Sequence, residues 1–180
     1  MLKQTILLSM LCLLALSAAA QTVAPNPAKE LQKLDFMLGD WQGEGWIEFG
    51  PGQRHSFRQT EKVQRKAGGA LVSIEGLGLE RRDQQEVPVH QAFAVISYDL
   101  QTKRPRLRAW RADGGEVTCE PELGDKRFVW GFTDPRSSVQ IKYTIMLNEA
   151  GHWVEIGESS RDGKSWRQFF ELKLRKTGQI

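Results

Sequence analysis

His55, His90 and His152 are the three histidines of the chain, and they lie far apart in sequence. They show none of the close histidine, cysteine or carboxylate spacing that marks a zinc site, so surface or strand-end positions are expected and no metal centre is. Cys119 is a possible nucleophile, but a reactive thiol needs a lowered pKa and access. Glu116, Glu120 and Glu122 around it work against that, and it reads as a small structural residue. Ser73, Ser97, Ser159 and Ser160 lack the Gly-x-Ser-x-Gly context of a nucleophile elbow. Glu155 and Glu158 fall on opposite faces of one strand, which gives no acid–base pair. No catalytic residue is assigned.

Binding chemistry is better represented. Arg104, Arg106 and Arg108 share a strand face and could meet an anionic polymer or a lipid headgroup, although such a stripe is more often a solvated outer face that discourages edge pairing. Six tryptophans are many for 180 residues. Trp41, Trp130, Trp153 and Trp166 are expected to line an interior or cover its mouth, with Trp46 and Trp110 nearer the surface. An aromatic lining suits an apolar ligand, and core packing uses the same residues.

These residues follow a segment with the three parts of a signal peptide. Lys3 is the positive start, 6–16 is the apolar stretch, and Ala18-Ala19-Ala20 offers small residues for cleavage before Gln21. The apolar stretch is shorter than the roughly 20 residues that span a bilayer, and no later stretch is long enough either. The expectation is export to the periplasm or medium, with no transmembrane segment after cleavage. Without Lys3 the chain carries 24 basic and 22 acidic side chains, a balance that argues against a nucleic-acid partner. Cys119 would be the one remaining cysteine, so no internal disulfide is expected.

Residues 21–27 read as a flexible lead-in, and 28–180 as a single domain. A short amphipathic helix is predicted over 28–38, started by Asn26 or Pro27 and stopped by Gly39. Its apolar face (Leu31, Leu34, Met37, Leu38) is expected to plug one end of a barrel. About ten strands follow, over 40–49, 54–65, 70–80, 89–99, 106–111, 116–122, 127–133, 138–147, 152–160 and 165–175, with a charged loop at 81–86. Period-two stripes such as Ile141, Tyr143, Ile145 and Leu147, or Phe128, Trp130 and Phe132, give each strand one apolar face. Gly43 and Gly45 beside Trp41 predict a coiled first strand, with Trp41 at the barrel end. The fold expected is all-β: an antiparallel up-and-down barrel of about ten strands with one short N-terminal helix, too wide for its own side chains to fill.

The segment Leu38-Gly39-Asp40-Trp41-Gln42-Gly43-Glu44-Gly45 resembles the Gly-x-Trp-x-Gly-x-Gly opening of calycin- or lipocalin-like barrels related to nitrobindin. Val95-Ile96-Ser97-Tyr98-Asp99, Leu107-Arg108-Ala109-Trp110 and Asp162-Gly163-Lys164-Ser165-Trp166 are similar to an uncharacterised group of bacterial secreted proteins of that fold. Nitrobindin-type proteins ligate haem iron through a histidine in the last strand. Here Phe169 or Phe170 holds that place, so the resemblance does not carry haem with it, and only Tyr143 or His152 remains as an unconventional ligand.

The function expected is an exported binding or carrier barrel for a small apolar or amphipathic molecule, lined by Trp41, Phe128, Trp130, Phe132, Tyr143 and Phe170. The rivals are an envelope protein-interaction module, including a homodimer formed through outer strands, and an enzyme of unknown reaction with Glu, His or Tyr side chains in the pocket.

Overall fold

The computed structural model describes residues 26–50 and 52–178. The expected leader and the lead-in as far as residue 25 lie outside the described residues. Asn26 caps a single α-helical turn, Pro27–Glu30 (α1), by accepting the Ala28 N–H on Oδ1 at 3.0 Å. The chain then tightens into a 3-10 helix, Leu31–Met37, where a continuous α-helix to residue 38 was expected. The apolar spacing explains the difference. Leu31, Leu34 and Met37 recur every three residues, which is one 3-10 turn, so all three share a face and all three are fully buried. Leu38 is extended, and Gly39 turns the chain at φ +124°, a conformation that favours glycine.

The strands are β1 Gly39–Glu48, β2 Arg54–Lys66, β3 Leu71–Arg82, β4 Gln85–Asp99, β5 Arg104–Arg111, β6 Glu116–Cys119, β7 Glu122–Gly124, β8 Arg127–Thr133, β9 Gln140–Leu147, β10 Trp153–Ser160 and β11 Arg167–Gly178. All eleven form one antiparallel sheet in the order β6-β5-β4-β3-β2-β1-β11-β10-β9-β8-β7. Hairpins join all sequence neighbours except β6 and β7, and the first strand pairs with the last, Gly43 opposite Leu174 and Gly45 opposite Leu172. The sheet curls into a half-barrel, as the sequence pattern led one to expect of a meander. Near its two ends β6 approaches β8.

Two boundaries differ from expectation for physical reasons. The predicted strand 116–122 is cut in two by Pro121, which has no N–H for a ladder; β6 pairs with β5, and β7 with β8. This makes eleven strands where about ten were expected. The predicted loop at 81–86 is instead the tip of a long hairpin. Only Asp83 and Gln84 form the turn, both at positive φ (46° and 68°), as a tight two-residue hairpin requires. Its charges belong to exposed strand positions: Arg82 pairs with Glu80, and Arg58 of β2 with Glu86.

One end of the half-barrel is sealed. Leu31, Leu34 and Met37 meet Val63, Val72, Ile96, Phe128, Trp153 and Leu174 there, all at 0–1 % exposure. Trp41 joins them edge-on to Trp153 at 5.7 Å and donates its indole N–H to Met37 O at 2.7 Å. Arg65 ties the helix down by donating to Asp35 Oδ1 at 3.0 Å, Leu31 O at 3.3 Å and Gly69 O at 3.3 Å. Leu34→Ala is expected to lower unfolding free energy by about 2–5 kcal/mol in urea titration, the range for a buried leucine. Arg65→Met should cost less, about 1–3 kcal/mol, since its partners partly regain water.

Candidate functional site

The other end is not sealed. Period-two alternation sends Phe57, Gln59 and Glu61 of β2 to the concave face, with Gly76 and Gly78 of β3 opposite Glu61 and Gln59. Ala92 and Ala94 of β4 and Ala109 of β5 continue that wall, in register with Gly76, Ile74 and Ala94 respectively. Trp130, Tyr143, Phe170 and Phe57 supply bulk from β8, β9, β11 and β2. Trp130 stacks on Tyr143 at 4.5 Å and on Phe132 at 6.2 Å; Phe170 meets Tyr143 edge-on at 5.6 Å and Phe57 at 6.0 Å. A bulge opposite Gly157 and Glu158 brings Phe169 to Tyr143 as well, at 5.9 Å. Ala92, Ala94, Ala109, Trp130, Phe132, Tyr143 and Phe170 all face inward yet stay only half-buried. The room over Gly76 and Gly78 is taken by the Glu61 and Gln59 side chains.

A second opening breaches the side. Beyond Val129, β8 has no ladder partner on its β7 side. A cleft of about 330 Å³ runs along this seam, lined by inward Trp130, Phe132 and Ile141 and by outward Gln140, Lys142 and Trp166.

Three polar side chains are buried within this concave face: Gln59 (2 % exposed), Glu61 (8 %) and Glu155 (8 %). Gln59 Nε2 donates to Glu61 Oε1 at 2.6 Å, and the Trp153 indole N–H reaches Glu155 Oε2 at 3.4 Å. Desolvation, reinforced by the nearby Glu155 charge and opposed by the Gln59 hydrogen bond, pushes the Glu61 pKa up to about 8. Desolvation also lifts Glu155 to about 7, against the Trp153 hydrogen bond. Burial and then the Glu155 charge raise the Tyr143 hydroxyl, while Arg111 acts the other way. His90 stands at the rim, where desolvation and the Arg111 guanidinium hold its imidazole below the ordinary value, although part of its surface meets solvent. The glycines make room for these groups. A Cβ at Gly76 would lie 2.7 and 3.0 Å from the Glu61 carboxylate oxygens, and one at Gly78 2.6 Å from Gln59 Oε1.

The six lining residues read from sequence divide in two. Trp130, Phe132, Tyr143 and Phe170 line the open part, whereas Trp41 and Phe128 belong to the sealed floor. Gln59 and Glu61 were missed, although their parity with Phe57 and Val63 placed them on the inner face. Glu155, weighed only against Glu158, shares the parity of Trp153 in the same way. Glu158 points outward to Lys142 at 2.8 Å.

The remaining candidates are structural. Arg104, Arg106 and Arg108 are paired with Glu120, Asp99 and Glu116 at 2.8, 3.7 and 3.4 Å, a neutralised outer face. Burial, not its glutamate neighbours, raises the Cys119 thiol, because those glutamates lie on the opposite strand face. His55 meets Glu80 at 3.4 Å, and His152 borders a groove on the outer surface. Among the described residues no three His, Cys, Asp or Glu side chains gather as a metal site. Trp166, expected to line the interior or cover its mouth, lies 4.1 Å below the Lys142 ammonium at an outward position beside the cleft. Phe169 and Phe170 offer iron no donor atom in the last strand. The turn motifs are local devices: Asp99 accepts the Gln101 and Thr102 N–H groups at 2.8 and 3.0 Å, and Asp162 those of Lys164 and Ser165 at 2.8 and 2.7 Å.

The fold is that of an antiparallel β half-barrel with an open concave face. The crystal structure of Rv2717c from M. tuberculosis is similar, with a TM-score of 0.56 and 12% sequence identity over 85% of this chain and 99% of that one. At that identity the likeness is one of fold. No protein-family model and no curated protein matches the sequence.

The buried acids set a pH dependence of stability. Between the ordinary carboxyl value near 4.5 and the raised values near 7 and 8, the folded state holds more protons than the unfolded one. Unfolding free energy therefore falls as pH rises through that window. His90 acts oppositely, but only below its ordinary value of 6.5. Melting temperature should drop from pH 6.5 to pH 8.5, and Glu61→Gln should remove most of the drop in thermal scans.

Proposed function

We propose that this protein is an exported binding or carrier protein whose concave face holds a small apolar or amphipathic molecule. The observation that carries the reading is the contrast between the two ends of one sheet. At the helix end the inward side chains are fully buried; toward the mouth, inward aromatic and alanine side chains remain half-exposed. Ala92, Ala94 and Ala109 add little side-chain volume to that wall and stay half-buried. Apolar surface left open in a concave site is the usual mark of a ligand pocket. The reading assigns no haem, since the last strand supplies no ligand for it.

Binding is tested by tryptophan fluorescence during titration with fatty acids, retinoids and tetrapyrroles. A saturable change is expected from Trp130, which sits in the aromatic wall. Ala94→Phe, which fills the small-residue wall, should weaken binding at least tenfold while near-UV circular dichroism stays native. An unchanged affinity in Ala94→Phe, or no saturable ligand, rejects the concave face as the site.

A second reading, a protein-interaction module, is favoured by a different place. A groove of about 1210 Å³ on the outer surface is lined by Trp46, Arg58, Arg81, Gln84, Glu86 and Lys173 among others. It includes the β3–β4 hairpin tip. Light scattering that shows a dimer disrupted by Arg81→Glu, with no small-molecule binding, would favour this reading over the carrier.

A further inference from the structure

The outer surface of β3 to β6 reverses the usual burial of a sheet with one wet face. In the half of this wall nearer the mouth, inward positions carry Ala92, Ala94 and Ala109, while outward ones carry Phe93, Val95 and Trp110. Bulky apolar side chains thus point to solvent and small ones to the interior. Phe93 and Trp110 stand directly opposite each other and stack at 6.2 Å, yet they remain 40 % and 37 % exposed. An exposed, stacked aromatic pair with a charged rim has the composition of a contact surface.

The ladders set these residues in rows. One row crosses four strands as Glu75, Phe93, Trp110 and Glu116. The next row on the same face, toward the helix end, is Ser73, Val95, Arg108 and Thr118. The first row therefore has an acid at each end. The second has a guanidinium beside the tryptophan, 5.6 Å from its ring.

We propose that this outer face pairs with the same face of a second copy of the chain, about a two-fold axis running along the rows and between them. Such an axis lays each row on the other row of the second copy. The two sheets then stack face to face like the layers of a sandwich. Phe93 meets the partner's Val95. Trp110 meets the partner's Arg108, a planar cation that stacks on an indole face. Glu116 stands one strand away from that same guanidinium.

Charge selects a second copy over other occupants. Glu75 and Glu116 repel an anionic lipid surface or a polyanion, and Arg106 and Arg108 repel a polycation. Those arginines also have Asp99 and Glu116 at 3.7 and 3.4 Å, which leaves the face without a dominant sign. A second copy presents both signs in the inverted order that the two rows need. None of the eight row residues lines the outer groove around Trp46, and all of them lie outside the concave face. The contact is independent of what the concave face holds.

Sedimentation velocity of the purified protein over a hundredfold range of concentration tests the contact. A monomer–dimer equilibrium is expected, weakened at least tenfold by Phe93→Lys and by Trp110→Lys while thermal unfolding stays cooperative. Arg108→Glu, which sets an acid against the partner's Trp110 and Glu116, should weaken it as well; Arg108→Lys, which keeps the charge, should cost less. A monomer at every concentration overturns the proposal. So does a dimer that withstands both aromatic substitutions, or one that withstands Arg108→Glu. Disruption by Arg81→Glu alone would place self-association at the outer groove and overturn it too. Should the aromatic variants not fold, the two Arg108 variants, which keep both rings, decide the matter.

Discussion

Everything in this molecule depends on the contact between its first and last strands. Without the β1–β11 ladder the chain would be two separate meanders, β1 to β6 and β7 to β11, each with an exposed apolar face. The ladder joins residues more than a hundred positions apart, a costly loop to close, so it has to be specific. Gly43 and Gly45 supply that specificity at the inner face. Side chains there would collide with β11: a Cβ on Gly45 would lie 2.6 Å from Glu171 O and 2.9 Å from Leu172 Cδ1. The strand can therefore coil against its partner only because these positions are bare. Trp41, two residues before Gly43, uses the resulting curvature to reach Trp153 and the carbonyl of Met37.

That closure sorts the inner face into two regimes. The short helix brings Leu31, Leu34 and Met37 to one end, where dispersion and burial are complete. At the other end the sheet supplies aromatics from one side and almost no side-chain volume from the other. Two acids and an amide lie in the intervening space, where the low polarity of the surroundings raises both acids. Buried carboxyls without a basic partner weaken a fold. Here two of them lie on an otherwise apolar face, each 8 % exposed.

The fold was largely legible in the sequence, and the reasons are local. Alternation in 138–147 and 170–175 fixed which residues face inward, because a strand has only two faces, while the bulge before Phe170 turns Trp166 outward. Asp99, Asp162 and the glycines announced turns through their own hydrogen bonds and permitted angles. Errors arose where a local signal has two meanings. Charges at 81–86 read as loop, yet exposed strand tips carry charges as readily. Pro121 was read through, although its missing N–H ends one ladder and starts another. The three-residue spacing of Leu31, Leu34 and Met37 suits either helix type, and only the neighbours that bury it select the tighter one.

The site was less legible. Trp130, Phe132, Tyr143 and Phe170 stand out as bulky apolar residues in alternating stripes, and their shared wall follows from register. Gln59, Glu61 and Glu155 look like ordinary surface residues in a one-dimensional string. The sequence alone determined most strand periods and turns and the inward parity within unbroken strands, since these depend on neighbours a few residues away. Only the tertiary structure decided that two acids from strands almost a hundred residues apart are buried on one curled face, and that Gly76 and Gly78 make room for Glu61 and Gln59. Proximity across a curled sheet depends on curvature and register, and neither is written in any single strand.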